Sequence, residues 1–587
     1  MDRILFVIPP HLKCDDFLRP AFNARIETRS SGNSFGSVLT DMPLGPMALA
    51  AYLKRVLGDL VDVRVLDFNV ELNYVEEFPW DNFDEYFAKV LRTGKDRVTG
   101  ESWADYDPNI IGMSVLFSPS YENFLSIAAS AREVFPKAVL MAGGGVPTTM
   151  YSQIFDDSAA IDALCFAEGE KPLADYLRAA DRPQYLAEST SWITRAKKDL
   201  PKCSFKPDYV VDLDEIPFGD YSVVRTEDYS LNPALTAYAG VFQKKQNFHY
   251  TTSRGCVYHC NFCASHNVNG RTMRYYSVPR VKSDLVRLRD EFGAKTIVFQ
   301  DDHFMGDRNR ALDIVNIIGD LGLTAVFQNS LTLFALKRPM LEAMMRAGVS
   351  QLLLSVESGS ARVLREIMHK PLTLPIVEQV ANDCRDLGIY TDCNILIGNI
   401  RETEADIAEG RAFLRTKCPA NWFKIFIATP LVGSEFYDEA KAKGFIKGDF
   451  VNFDYKKANI STDELSQQRV EELQYELNLE LNFVHNHDFR IGEENHQTGD
   501  EAVAIRGYRT ALLGFLNAVK AKSDHAFGHH FAALCYDRLG EPDTANHHRT
   551  LAIQAASNPF WKKWLVRFPQ VEIGRQIEPI VAATAAS

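Results

Sequence analysis

Three cysteines crowd into one short segment, and their spacing restricts the fold more than any other feature of the chain. Cys256, Cys260 and Cys263 form a C-x3-C-x2-C pattern directly after a predicted strand at 248–253. Iron–sulfur clusters are held by cysteine thiolates, four of them when coordination is complete. Three thiolates on one loop can wrap a corner of a [4Fe–4S] cubane. Since no fourth cysteine lies nearby, one iron is left open for another ligand.

Zinc is the competing interpretation of these cysteines. Structural zinc takes four protein ligands, often as two separated pairs. His259 and His266 offer a fourth ligand, but the second pair of a zinc ribbon or finger is missing. The other seven cysteines are scattered. In a large chain for which we expect no export signal, they are predicted to be unpaired thiols rather than a disulfide framework.

Short apolar strands alternate with amphipathic helices in residues 1–180. A helix is predicted at 44–57, and strands are predicted at 4–8, 61–66, 110–115, 138–142 and 163–167. This alternation predicts a doubly wound, Rossmann-like parallel sheet, which binds ligands outside the carboxyl ends of its strands. Residues 181–245 are less regular and contain three prolines, so we interpret them as a linker.

A second alternating region covers residues 246–445. Helices are predicted at 281–292 and 340–347, and six strands at 248–253, 296–300, 325–329, 351–356, 391–397 and 423–428. Six βα units predict a partial (β/α)6 TIM barrel, because a full eight-unit barrel typically needs about 250 residues.

Residues 446–587 are predicted to be α-helical, beginning with a helix at 464–482. Alanines recur with a period of 34, since Ala511 matches Ala545 and Ala518 matches Ala552. Tyr536, Gly540, Ala545 and Ala552 fit the small-and-aromatic pattern of a tetratricopeptide-like helix pair. An ordinary helical bundle with alanines aligned by chance is the alternative.

Charge and hydropathy exclude two classes of partner. The formal net charge is −13 and the chain has no long Lys/Arg run, so we expect no nucleic-acid partner. No apolar run reaches the roughly 18 residues that a membrane span needs. The N-terminal apolar stretch is too soon broken by Pro9 and Pro10 to be a signal-peptide core, and it is predicted to be a buried strand. We expect a cytoplasmic protein.

The cysteine motif at the end of the first barrel strand resembles that of the radical SAM superfamily, over residues 248–445. The resemblance implies that S-adenosylmethionine (SAM) chelates the open iron through its amino and carboxylate groups. One electron from the reduced cluster, supplied by a donor such as flavodoxin or ferredoxin, then yields methionine and a 5′-deoxyadenosyl radical. Phe262 matches the aromatic position that lies near the adenine in this superfamily.

Other segments resemble the same template. Gln300 ends the second strand, where polar groups point into the barrel mouth. Ser355 and Glu357 end the fourth strand in a segment like the family's ribose- and methionine-contacting one, and by alternation they face the same side. Two turns depart from the family pattern, because Ile400 and Val432 stand where prolines are usual. The SAM-binding residues implied are Phe262, Gln300, Ser355 and Glu357.

Residues 1–180 resemble the cobalamin-binding domains of class B radical SAM methyltransferases. The resemblance rests on Pro9-Pro10, Pro43-Leu44-Gly45-Pro46, Gly112-Met113-Ser114, Gly143-Gly144-Gly145 and Glu168-Gly169-Glu170. It implies cobalamin contacts from Ser114, Ser118, Gly143, Gly144, Gly145 and Glu168. The D-x-H-x-x-G loop is absent and His11 does not match it, which implies cobalamin without a protein histidine on cobalt.

The glycines also admit two plainer interpretations, a nucleotide phosphate cradle or a simple turn. The chain has no G-x-G-x-x-G after the first strand and no P-loop lysine, which counts against a nucleotide.

The resemblance implies an enzyme that methylates an unactivated carbon of a small-molecule or natural-product intermediate, using SAM and methylcobalamin. Substrate is expected between the two cofactors, at the domain interface. The alternatives are a cobalamin-dependent radical SAM cyclase or rearrangement enzyme, and a methylase acting on a peptide or carrier-bound intermediate. A non-catalytic scaffold and a radical SAM enzyme with an empty N-terminal domain are two further rivals.

Overall fold

A computed structural model of the chain describes residues 1–20, 24–234, 246–329, 331–449, 453 and 457–573. Its first region contains six strands: β1 Asp2–Ile8, β2 Val61–Asp67, β3 Ile110–Ser114, β4 Val139–Gly143, β5 Ala163–Cys165 and β6 Trp192–Thr194. They form one sheet in the order β2-β1-β3-β4-β5-β6. The first five strands are parallel, and β6 pairs antiparallel with β5. The strand order reverses between β1 and β3, the type of switch point at which such sheets bind ligands.

Both faces of this sheet are covered by helices, which explains the near-continuous apolar run of β1. Ile4 and Phe6 belong to one hydrophobic cluster, and Leu5 and Val7 belong to another. Strands buried on both faces have this composition in parallel sheets. The α-helices of the region are Cys14–Leu18, Leu44–Leu57, Phe68–Asn73, Phe83–Thr93, Trp103–Tyr106, Tyr121–Val134, Gly145–Thr149, Tyr151–Asp157, Glu170–Arg178 and Arg182–Glu188. A small antiparallel hairpin pairs Ile26–Thr28 with Ser34–Gly36.

The segment interpreted as a linker differs from that expectation at its start. Helix Arg182–Glu188 and β6 lie within it, and β6 forms an edge of the N-terminal sheet. Single turns of 3-10 helix follow, for example Leu213–Glu215 and Tyr221–Val223. Residues 235–245 of the segment lie outside the described residues.

The second region is a partial barrel of parallel strands: β7 Asn247–Tyr250, β8 Thr296–Phe299, β9 Thr324–Phe327, β10 Gln351–Glu357, β11 Tyr390–Ile397 and β12 Trp422–Ile427. They form two three-stranded sheets, β7-β8-β9 and β10-β11-β12, and a parallel bridge between Leu331 and Leu354 links the two. The helices are His266–Asn269, Val278–Phe292, Arg308–Asp320, Arg338–Arg346, Leu374–Leu387, Glu404–Lys417 and Glu435–Ala442, with a π-helical turn at Val363–Ile367. The predicted α/β fold class is confirmed.

The last described region is α-helical, as predicted. Its helices are Gln467–Leu479, His487–Thr498, Glu501–Ala521, Ala526–Arg538, Pro542–Ala556 and Pro559–Arg567, and a π-helical turn, Glu480–Val484, extends the first. Ala511 and Ala518 lie in helix Glu501–Ala521, and Ala545 and Ala552 lie in helix Pro542–Ala556, so the tetratricopeptide-like repeat stays a prediction. Among the residues described, no helix is both long and apolar enough to cross a membrane.

Candidate functional site

A cavity of about 340 Å³ lies between the N-terminal sheet and the partial barrel. Ser114, Gly143 and Gly144 line it from the carboxyl ends of β3 and β4. Arg254 and Gln300, which follow β7 and β8, line it from the barrel side. Its volume is at the lower end of the range for small-molecule sites, about 300–1,000 Å³. The ligand-binding edges of both sheets therefore open into one space.

The three clustered cysteines lie on a loop, residues 255–273, that we call the cluster loop. A short antiparallel pair, Ser253–Arg254 with Arg274–Tyr275, closes the loop at its base. Gly255 has φ +95°, and a Cβ at this position would lie 2.4 Å from the carbonyl oxygen of Thr272 on the returning arm. The Cys256 amide donates to the Gly270 carbonyl at 3.2 Å. The loop is therefore tight, and it requires glycine at its first position.

The thiols of the cluster loop are free and only partly exposed. Burial raises the pKa of Cys260 to about 11 and also raises the pKa of Cys256, so metal binding would release protons from these groups. Within the described ranges, no three His, Cys, Asp or Glu side chains are grouped to hold a metal ion. In a cubane each thiolate binds a different iron, so the cysteines need not converge on one point.

The cluster loop contacts the segment that follows β10. The Asn261 amide donates to the Met368 carbonyl at 3.1 Å. Phe262 packs against a small apolar cluster that includes Ile367 and Met368. In the same segment, Lys370 Nζ lies 3.1 Å from Glu357 Oε1. The Lys370 ammonium lowers the pKa of Cys260, but burial raises that pKa by more. No sequence motif pointed to Lys370.

The alternation that was expected to align Ser355 and Glu357 is interrupted. The register between β10 and β11 shifts at a bulge between these residues, and Glu357 has φ +67°. Ser355 is buried, whereas Glu357 is paired with Lys370. Gln300 lies in the barrel mouth, where its amide nitrogen is 2.5 Å from Gln328 Oε1 and 3.4 Å from His249 Nδ1.

The glycine strip, Gly143–Gly145, lies at the end of β4. Gly144 has φ +109°, and a Cβ there would lie 2.6 Å from the Val115 carbonyl oxygen. Gly143 and Gly144 leave the cavity wall without side chains, so a bulky planar ligand can approach the backbone. Among the described residues, Gly145 and Ser118 lie outside the cavity lining. Gly145 begins a helix, and Ser118 borders a smaller pocket beside Thr429.

Glu168 lines the cavity, but arginines from the barrel occupy both of its carboxylate oxygens. Arg254 Nη1 and Arg274 Nη1 each donate to Oε2 at 2.9 Å, and Arg274 Nη2 also donates to Oε1. Arg254 Nη2 donates to Glu170 Oε1 at 2.7 Å. Burial acts to raise the pKa of Glu170, but the Arg254 guanidinium holds that pKa below its usual value. The Glu168–Glu170 segment therefore contacts the base of the cluster loop directly.

Comparison with known proteins assigns both halves of this site. The B12 binding domain matches residues 40–177, and the Radical SAM superfamily matches residues 250–414. The chain belongs to the cobalamin-dependent radical SAM methyltransferase family. The family prediction made from the motifs is confirmed.

Two similar proteins are named for different reactions. Cytidylyl-2-hydroxyethylphosphonate methyltransferase of Streptomyces wedmorensis is 27% identical over 75% of this chain and 86% of its own length. The anaerobic magnesium-protoporphyrin IX monomethyl ester cyclase of Rubrivivax gelatinosus is 25% identical over 60% of this chain and 61% of its own.

Solved structures share the fold. The cobalamin-dependent radical enzyme OxsB, with aqua-cobalamin and SAM bound, superposes with a TM-score of 0.56 at 14% identity, over 97% of this chain and 80% of its own. The methyltransferase TsrM from Kitasatospora setae, with tryptophan and a SAM analogue bound, gives 0.53 at 16% identity, over 76% and 78%.

As a cobalamin-dependent radical SAM enzyme, the protein uses a [4Fe–4S] cluster, SAM and cobalamin, which confirms the predicted cofactors. The donor set of the cluster loop fits the cluster, since it has three thiols and leaves one iron open. The cavity wall at Gly143 and Gly144, which carries no side chains, fits the close approach of a planar corrin ring.

Proposed function

We propose that this enzyme transfers a methyl group to an unactivated carbon of a small-molecule or natural-product intermediate, using SAM and cobalamin. One observation carries the proposal: a single cavity borders both the glycine strip and Arg254, two positions before the first cluster cysteine. Cofactors carry such chemistry, and the protein holds them in position. When bound, the reduced cluster would cleave SAM and the corrinoid would supply the methyl group.

In this proposal each part of the chain has its own task. Cys256, Cys260 and Cys263 hold the cluster. Phe262, Gln300, Ser355 and Glu357 contact SAM on the barrel side. Ser114, Gly143 and Gly144 support the corrin from the opposite wall. The substrate enters the space between these groups, and the electron comes from a small redox protein of the flavodoxin or ferredoxin class.

Cyclisation without methyl transfer is the second candidate, and the similarity to the Rubrivivax gelatinosus cyclase favours it. The Streptomyces wedmorensis relative, whose name describes a methyltransferase, covers more of both chains. This difference in coverage favours methylation. A peptide or carrier-bound substrate requires the same site and differs only in what enters it.

The test is turnover of the anaerobically reconstituted full-length enzyme with SAM, cobalamin, a reductant and a panel of candidate substrates. Mass spectrometry separates the two reactions, because methylation adds one CH2 to the substrate and cyclisation adds none. Radical methylation also requires 5′-deoxyadenosine and S-adenosylhomocysteine in equal amounts, one from each SAM. A methylated product accompanied by S-adenosylhomocysteine but by no 5′-deoxyadenosine would refute the radical step while leaving methyl transfer intact.

A variant lacking the cluster is the control for this assay. Replacing Cys256, Cys260 and Cys263 together by alanine should abolish iron binding, and with it the formation of deoxyadenosine. The wild type should hold about four irons and four sulfides per chain. Stoichiometric zinc with no iron retained would contradict the assignment of the cysteines.

A further inference from the structure

Four charged side chains from the two domains meet beside the cavity. Glu168 and Glu170 come from the segment after β5, and Arg254 and Arg274 come from the base of the cluster loop. All four are largely buried; the Glu168 side chain is only 4% exposed and that of Arg274 only 7%. Since two carboxylates face two guanidiniums, the set is electrically balanced.

The two arginines face each other across the strand pair that closes the cluster loop. Arg254 and Arg274 are direct partners in its antiparallel register. Like charges in directly opposed positions destabilise such a pair. Glu168 compensates the repulsion, because its Oε2 accepts a hydrogen bond from each arginine at 2.9 Å. Closure of the cluster loop therefore depends on a carboxylate that belongs to the other domain.

The Glu168 segment is also tied to the glycine strip. The Ala167 amide donates to Thr148 Oγ1 at 3.0 Å, and Thr148 lies in the helix that begins at Gly145. Arg254 is joined to Cys256 through Gly255 alone. A continuous path of covalent and hydrogen bonds thus runs from the glycine strip to the first cluster cysteine.

We propose that Glu168, Glu170, Arg254 and Arg274 form a joint that sets the position of the cluster loop relative to the corrinoid-binding sheet. The proposal rests on the proposed function in one respect, because it gives the joint the role of aligning the two cofactors over one substrate. These are positioning residues, since their charged atoms bind one another. Buried ion pairs are weak sources of stability, and their best-attested role is to specify one geometry.

The test compares two joint variants, Glu168→Gln and Glu170→Gln, with a matched control, Glu493→Gln. Glu493 pairs with Arg538 through two hydrogen bonds of 2.9 and 3.0 Å in the C-terminal helical region, so its loss removes an ion pair away from the cofactors. Each full-length variant is reconstituted with the cluster and cobalamin. The measurements are iron and cobalamin content, the splitting of the cob(II)alamin EPR signal by the reduced cluster, and the ratio of deoxyadenosine to methylated product.

If the four residues form this joint, its loss should change the geometry between the cluster and the cobalamin and not only lower stability. Glu168→Gln should alter the EPR splitting, which depends on the distance between the two paramagnets. It should also raise the ratio of deoxyadenosine to product about tenfold or more, because small misplacements of reacting groups cost up to about a hundredfold in rate. Loss of iron with cobalamin retained would support the joint equally, since the Glu168 carboxylate binds Arg254 and Arg274 and not a cluster cysteine. Glu170→Gln should have a smaller effect, and Glu493→Gln should have none.

An unchanged EPR splitting and an unchanged product ratio in Glu168→Gln would overturn the proposal. Parallel loss of iron and cobalamin in Glu168→Gln and Glu493→Gln would do the same. If Glu168→Gln cannot be purified, the same measurements on Glu170→Gln decide whether the proposal holds. This variant is milder, because it leaves the Glu168–Arg274 pair in place. The EPR measurement needs no substrate, so it tests the joint even if the wild type fails to methylate any compound offered.

Discussion

Gly255→Ala should weaken cluster binding through the backbone, without altering any cysteine. The substitution places a methyl group 2.4 Å from the Thr272 carbonyl oxygen and 3.2 Å from that of Asn269. Neither contact can be relieved by rotating a side chain, since both partners are backbone atoms on the returning arm of the cluster loop. The loop must open, and the Cys256 thiol must move with it.

Two contributions determine how strongly Gly255→Ala weakens cluster binding: strain in the backbone and the steric contact with Thr272. An L-residue at φ +95° is strained, and such outliers cost about 1–3 kcal/mol each. Gly499→Ala isolates this term, because Gly499 has a similar φ (+87°) but its Cβ would meet nothing within 4 Å. The free-energy cost of the steric contact is then the amount by which Gly255→Ala destabilises the loop more than the control does. Every 1.4 kcal/mol of that cost lowers the binding constant for the cluster about tenfold.

The assay is iron and sulfide content after anaerobic reconstitution and desalting, alongside the melting temperature of each variant. Gly499→Ala should lose some thermal stability and keep its iron. Gly255→Ala should lose iron out of proportion to its change in melting temperature. Equal iron content in the two variants would refute the reasoning, because it would mean that the Thr272 contact places no constraint on the thiols.

Three further predictions concern other parts of the site. Gly144→Ala should reduce cobalamin retention while iron stays at the wild-type level, with Gly100→Ala, which meets nothing within 4 Å, as the control. Glu357→Gln should suppress deoxyadenosine formation more than cobalamin binding. Burial raises the pKa of Glu402 to about 7, so its contribution to stability falls as pH rises from about 4.5 to 7; Glu402→Gln should flatten the dependence of melting temperature on pH in that window.

Predictions of regular structure from the sequence agree with the structure where periodicity was strong. The helix predicted at 44–57 has those bounds, and the strand predicted at 61–66 extends one residue further. The strand β6 was missed because it has only three residues and pairs antiparallel at the edge of the sheet. It is therefore not part of a βα alternation that the sequence would show. The bulge in β10 was missed for a related reason, since alternation assumes an unbroken register.

The site was predictable where function depends on local sequence and unpredictable where it depends on pairing between domains. A cysteine spacing and a glycine run are visible within a few residues, so the two cofactor regions could be named without a structure. Glu168 was singled out from the same kind of local motif and expected to contact cobalamin. That contact stays a prediction, and the side chains that pair with its carboxylate, Arg254 and Arg274, lie 86 and 106 residues further along the chain.

No local pattern marks either arginine as a partner of that carboxylate. Their pairing follows from the fold, which brings the segment after β5 against the base of the cluster loop. Because buried carboxylates and guanidiniums must be paired to be tolerated, the match constrains how the two domains dock. In the proposed joint, the geometry between the cofactors is encoded in residues whose charged atoms bind one another, nearby backbone carbonyls and the ring of Tyr209.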